Sequence, residues 1–301
     1  MILNQQQLRL LSFVITIQLA CGSALALPQA NPTQSSKPAP AAPSPKPTPS
    51  VPVVKQAPSQ ANKNIKPEDL VERAIFAYGS RPVLQTIQKN GTLRANVKFF
   101  SADGTREGRT ISKFIRKPKL EEDLIMIDLD LPGTRYLLGF DGQKTWSINN
   151  GEIQEPGPET VKAFRAAHEH SYEALLRYKE NDAKLELVGN NKLGPIDLDV
   201  IEMTLPSGTK TRYEVSRKTG RIIYVHYEEK PSPDAPQVKY KLYFTNFTPV
   251  QNTLVPYSIR VYADDKVIEE RKVVEVAYNV QLDEKNFLAE NALKPLEAVK
   301  P

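Results

Sequence analysis

The feature that most constrains this chain is period-two alternation, which begins near residue 92 and recurs almost to the C-terminus. TLRANVKFF sets Ala95, Val97 and Phe99 among charged or polar neighbours. VKYKLYFTNF does the same with Val238, Tyr240, Leu242 and Phe244. Successive strand side chains point to opposite faces, so such a pattern gives a sheet with one dry and one wet side. TISKFIRKP, LEEDLIMIDLD, RYLLGFDGQKTWSIN, AKLELVG, IDLDVIEMTL, KTRYEVS, RIIYVHYE and LVPYSIRVYADDKVIEERKVVEVAYNV continue the series. Turns are expected at Asp141-Gly142, Lys218-Thr219-Gly220 and Asp264-Asp265.

Two places break the period. KPEDLVERAIFAYG has Pro67 at the first helical position, Glu68 and Asp69 in the first turn, and an apolar face of Leu70, Val71, Ala74, Ile75 and Tyr78. Ser80 is placed to cap a second helix, RPVLQTIQKN. Around PETVKAFRAAHEHSYEALLRYK the period is again helical, with Val161, Phe164, His168, Tyr172, Leu175 and Leu176 on one stripe. About ten or eleven one-sided strands and a few amphipathic helices exceed what one flat sheet accommodates; the economical solution is a mainly β, α+β fold, a strongly curved antiparallel sheet over helices.

The ends read differently. Residues 1–26 carry the parts of an export signal: Arg9, an apolar run from Leu10 to Ala20, and Ala24-Leu25-Ala26 as a small-x-small cleavage site. Cys21 in Leu19-Ala20-Cys21-Gly22 offers a second route, lipidation of the cysteine, although Gln18 stands where such a box carries an aliphatic residue. The first route leaves a free exported protein and the second a membrane-tethered one. Residues 27–65 hold ten prolines among Ala, Ser, Gln and Lys and read as a disordered linker. Residues 66–290 are expected to form the folded domain, and 291–301 a tail. Cys21 is the only cysteine, so the domain has no disulfide to lean on.

Lys and Arg outnumber Asp and Glu by 40 to 35 with the signs interspersed, which argues against nucleic acid as a partner. The chain has no G-x-S-x-G elbow and no glycine-rich phosphate loop. In His168-Glu169-His170 the imidazoles are two apart, on nearly opposite sides of a helix, and His226 is distant in sequence, so no metal site is expected. Glu121-Glu122-Asp123 and Asp128-x-Asp130 suit the wet face of alternating strands better than acid–base chemistry. Neither catalysis nor a cofactor is expected.

The succession of an N-terminal helix, a strand pair ending in IRKPKL, a further strand, FDGQKTW, and finally VEVAYNVQLDEKNF resembles the periplasmic lipoprotein-carrier superfamily, the outer-membrane lipoprotein-sorting proteins and their LolA-like and LppX-like relatives. The likeness spreads over most of residues 66 to 290. It implies an incomplete β-barrel with helices as a lid, enclosing an apolar cavity that takes acyl chains of lipoproteins or lipids in the cell envelope, without catalysis. It also implies membrane-bound donor or acceptor proteins as partners. In these carriers an arginine just before the proline of the basic-basic-proline motif clasps the lid; here that position is Lys117, whose point charge cannot reproduce a planar fork of donors.

The expected lining of the cavity is Val97, Phe99, Met126, Trp146, Met203, Tyr240, Leu242 and Phe244, residues that could equally fill a solid core. The competing function is an envelope sensor or scaffold that binds a protein through the same concave face.

Overall fold

The computed structural model describes residues 65–292, so Cys21, the export signal and nearly all of the linker and tail lie outside it. Helices α1 (Pro67–Ala77) and α2 (Arg81–Ile87) lead into a hairpin of β1 (Asn90–Ser101) and β2 (Gly104–Ile115). Strands β3 (Leu124–Leu131), β4 (Thr134–Phe140), β5 (Thr145–Asn149) and β6 (Glu152–Gln154) follow. Helices α3 (Pro158–Glu169) and α4 (Tyr172–Leu176) then cross to β7 (Lys184–Leu193). The second half comprises β8 (Ile196–Thr204), β9 (Lys210–Ser216), β10 (Ile222–Glu229), β11 (Val238–Val250), β12 (Thr253–Ala263) and β13 (Lys266–Tyr278), ending in a 3-10 turn, Glu284–Phe287, and α5 (Ala289–Ala292).

All 13 strands belong to one antiparallel sheet, ordered β6-β5-β4-β3-β2-β1-β13-β12-β11-β10-β9-β8-β7. The chain therefore meanders outward from the middle to the β6 edge, crosses over to the β7 edge, and returns until β13 pairs with β1. Because β6 and β7 do not pair, the barrel stays open. Of the strands beyond the expected ten or eleven, β6 is only three residues long, too short to display an alternation. No described helix is long and apolar enough to cross a membrane.

Register assigns the faces. Val97 pairs with Arg271, Arg271 with Ile259 and Ile259 with Phe244, while Leu242 pairs with Val225, Val225 with Tyr213 and Tyr213 with Ile201. On the other side Val97 pairs with Gly108, and two positions along, Thr110 pairs with Leu129 and Leu129 with Tyr136. All of these share one side, the concave one. There α1 and α4 bury Leu70, Val71, Ile75, Tyr78, Leu175 and Leu176 against Ile201, Met203, Tyr213, Val225 and Phe244. Phe164 of α3 packs on Tyr136, Leu138 and Phe140 at the far end of the same side.

The stripe expected to run through α3 and α4 is thus divided. Ser171 interrupts it, accepting the Ala174 backbone N–H at 3.2 Å as the cap of α4, so Phe164 and the Tyr172–Leu176 turn serve different clusters. Ser80 also departs from expectation. It precedes α2 at φ +73 and its side chain makes no capping bond. The loop after Phe140 has four residues rather than two, since Phe140 pairs with Thr145. Asp141 holds it by accepting the Gln143 and Lys144 backbone N–H groups at 2.9 and 2.8 Å, with Gly142 at φ +95.

Candidate functional site

The concave floor is covered unevenly. Under α1 and α4 the side chains are sealed, but along β11 and β12 the apolar residues Leu242, Ile259 and Val261 are only half-buried. Val97 and Phe99 flank this strip with Leu129 and Leu131, and Tyr227 and Tyr240 stack beside it at 5.0 Å between ring centroids. Burial pushes the Tyr227 hydroxyl well above its ordinary value, with the neighbouring Tyr240, Glu229 and Glu269 adding to the effect. His170, on the turn after α3, lies flat on Tyr227 at 4.0 Å and faces the Thr211 hydroxyl at 2.6 Å. A half-open apolar strip with aromatic walls can take a flexible hydrocarbon by burial alone.

Six of the eight expected lining residues stand on the concave side, Val97, Phe99, Met203, Tyr240, Leu242 and Phe244, but Met203 and Phe244 are sealed in the core beneath α1 and α4. Met126 and Trp146 are not on that side. Met126 pairs with Gly139 and Gly139 with Trp146, a row one position off from Ile125, Leu138 and Phe140 and therefore on the outer face. There they join Ile115, Leu124, Leu137 and Ile148 under Phe287, Ala289 and Ala292 of the C-terminal segment. The Trp146 Nε1–H donates to the Phe287 carbonyl at 2.8 Å, and a Cβ at Gly139 would lie 2.3 Å from the indole. The lone tryptophan is a fastener for residues 284–292. Strand parity alone cannot tell a sheet's inner face from an outer face that a later segment covers.

Lys117 is similarly displaced. Its ammonium turns outward to Glu284 in the C-terminal 3-10 turn. The two also border a cleft of about 340 Å³ with Glu122, Leu124, Asp141 and Gln143. The planar fork comes instead from the helical side. Arg177, capping α4, donates Nη1–H to Asp123 Oδ2 at 2.5 Å and Nη2–H to the Lys117 carbonyl at 2.6 Å. His168 Nε2 lies 3.1 Å from both Asp123 Oδ2 and the Leu120 carbonyl; since both accept, that nitrogen carries the hydrogen. Burial raises the Asp123 carboxyl, but the His168 hydrogen bond and the Arg177 charge outweigh it and hold the group below the ordinary carboxylate range. The α3–α4 crossing is thereby pinned to the β2–β3 connection by a buried, charge-assisted network.

His226 Nε2 lies 3.0 Å from the Glu214 carboxylate. Among the described residues no three His, Cys, Asp or Glu side chains converge to hold a metal ion.

No family model matches the sequence. No curated protein sequence matches it either. Solved structures do. A DUF1329 family protein from Desulfovibrio piger superposes with a TM-score of 0.52 at 16% identity, over 76% of this chain and 99% of the other. An outer membrane lipoprotein-sorting protein domain from Vibrio parahaemolyticus gives 0.50 at 12% identity, over 74% and 96%. A LolA superfamily protein from Nitrosomonas europaea gives 0.50 at 11% identity, over 75% and 99%. With its open antiparallel sheet wrapped over a helical crossing, the chain has the LolA-like fold of the outer-membrane lipoprotein-sorting domains.

Proposed function

We propose that this protein is a non-enzymatic carrier of the cell envelope that holds acyl chains of lipids or lipoproteins against its concave face. The observation that carries the reading is the half-covered strip of Leu242, Ile259 and Val261 between the aromatic pair Tyr227–Tyr240 and the Val97–Phe99 wall. Each methylene moved there from water contributes about 0.8 kcal/mol, so a chain of a dozen or so binds usefully after ordering costs. The α3–α4 crossing, pinned by Arg177 to Asp123 and the Lys117 carbonyl, is the lid in this reading, with Arg177 taking the role that the resemblance assigned to position 117. Export through the signal at 1–26, free or anchored through Cys21, places the carrier outside the cytoplasm.

Leu242→Asp tests the reading. Leu242 is half-buried, so an unpaired carboxylate there should abolish binding of a fluorescent fatty acid while the domain still unfolds cooperatively. Binding that survives the substitution, or a wild-type protein that takes up no fatty acid, contradicts it.

A further inference from the structure

The concave strip carries charges that an apolar wall alone does not call for: Arg106 opposite Phe99, and a pair on β13. Glu269 and Arg271 alternate on β13 and face the same side: Glu269 pairs with Phe99 and Val261, Arg271 with Val97 and Ile259. Their side chains are 12% and 34% exposed. Arg271 donates Nε–H and Nη2–H to the same carboxylate oxygen, Oε1, at 2.9 and 2.6 Å. Among the described residues no other group hydrogen-bonds either side chain, so Oε2 and the remaining guanidinium N–H groups are left to whatever enters the trough.

We infer that Arg271 and Glu269 form a seat for the head group of a zwitterionic amphiphile, with Arg271 holding a phosphate, Glu269 holding an ammonium, and the acyl chains lying on Val97, Ile259 and Val261. This rests on the acyl-binding reading above and names the ligand class. The Glu269–Arg271 pair itself carries one charge of each sign and is neutral, with Arg106 beyond Phe99 on the same side. A net anionic head brought there leaves a charge uncompensated in a poorly hydrated place, whereas a phosphate–ammonium head leaves the total at zero and satisfies donors and acceptor together. Arginine suits the role because its fork matches two phosphate oxygens while one edge stays on the glutamate. An ion pair retained on the floor of an apolar trough, where two hydrophobic residues of similar volume cost less to bury, is explained by a ligand that uses it.

The test compares the delipidated full chain with three short-chain lipids of equal acyl length, a phosphatidylethanolamine, a phosphatidylglycerol and a diacylglycerol, together with phosphoethanolamine lacking chains, by titration calorimetry. Wild-type protein should bind the phosphatidylethanolamine about tenfold or more tightly than the other two lipids, the scale of charge-assisted hydrogen bonds, and should not bind free phosphoethanolamine. Glu269→Gln should reverse the order in favour of the phosphatidylglycerol, and Arg271→Gln should level all three. Equal affinities for the three lipids in the wild type, unchanged in Glu269→Gln, overturn the seat and leave the acyl-binding reading standing. Binding of phosphoethanolamine alone as tight as that of its lipid overturns the amphiphile. Failure of all three lipids to bind overturns the seat and the acyl-binding reading together. Should Arg271→Gln not fold, the reversal in Glu269→Gln decides.

Discussion

Trp146 and Phe287, 141 residues apart, are joined by a 2.8 Å hydrogen bond from the indole N–H to a backbone carbonyl, inside an apolar cluster on the outer face of the half-barrel. Phe287 is fully buried there, so the C-terminal segment is part of the core and not an appendage. Phe287→Ala should cost about 3–5 kcal/mol. The single tryptophan reports it: its emission should shift to the red in Phe287→Ala, while Trp146→Phe, which loses only the N–H partner and some volume, should cost about 1–2 kcal/mol in urea unfolding.

Gly139 makes room for the same ring. A methyl group there meets the indole at 2.3 Å, well inside van der Waals contact, and the partner is a packed aromatic with no freedom to yield. Gly139→Ala should destabilise by about 1–3 kcal/mol, the cost typical of overpacking, and Gly139→Ala with Trp146→Phe should recover part of it in a double-mutant cycle.

The Arg177–Asp123 pair ties α4 to the β2–β3 connection with the carboxylate almost fully buried. Asp123→Ala leaves a guanidinium without its partner and should cost about 3–5 kcal/mol, as breaking a buried pair does. The pH dependence has a definite sign. Because the folded carboxyl sits below its ordinary value, its stabilisation is fully present above about pH 4, the unfolded value, and is lost as pH falls through the folded value. Unfolding free energy measured from pH 6 down to pH 2 should fall less steeply in Asp123→Asn than in the wild type.

Lys117→Arg should do little. The side chain meets Glu284, which is largely exposed, so exchange of one cation for the other should change stability by less than about 0.5 kcal/mol and leave release of an apolar dye unaltered. Slower release in Lys117→Arg would restore position 117 to the lid.

The strand series was legible because alternation is a direct record of one-sided burial, and the β3–β4–β5 meander follows from short turns between such strands. Two kinds of information were not. Glu269-Glu270-Arg271-Lys272 is an unbroken charged run, so the sequence shows no sign that its odd members point into the trough. Met126 and Trp146 look inward by periodicity, and only the return of residues 284–292 makes their face a second interior. Arg177 sits between the buried Leu176 and Tyr178, where an arginine is unusual enough to be a clue, but its partner Asp123 lies in a run of acids, Glu121-Glu122-Asp123, that reads as solvated surface.

If the protein is the carrier proposed above, the processing of its N-terminus decides whether it moves. Cleavage after Ala26 gives a mature chain that begins at Leu27 without lipid, and this is the expected product. Mass spectrometry of the mature protein that finds diacylglycerol on Cys21 would instead make it a tethered domain, and with it a fixed acceptor or a sensor.

Native mass spectrometry of the protein purified from its native host decides whether the concave face holds acyl chains. The wild-type chain should carry one bound lipid or acylated peptide that Leu242→Asp lacks although it remains folded. A wild-type protein that is empty of lipid, fails to take up added fatty acid, and instead retains a stoichiometric protein partner would contradict it.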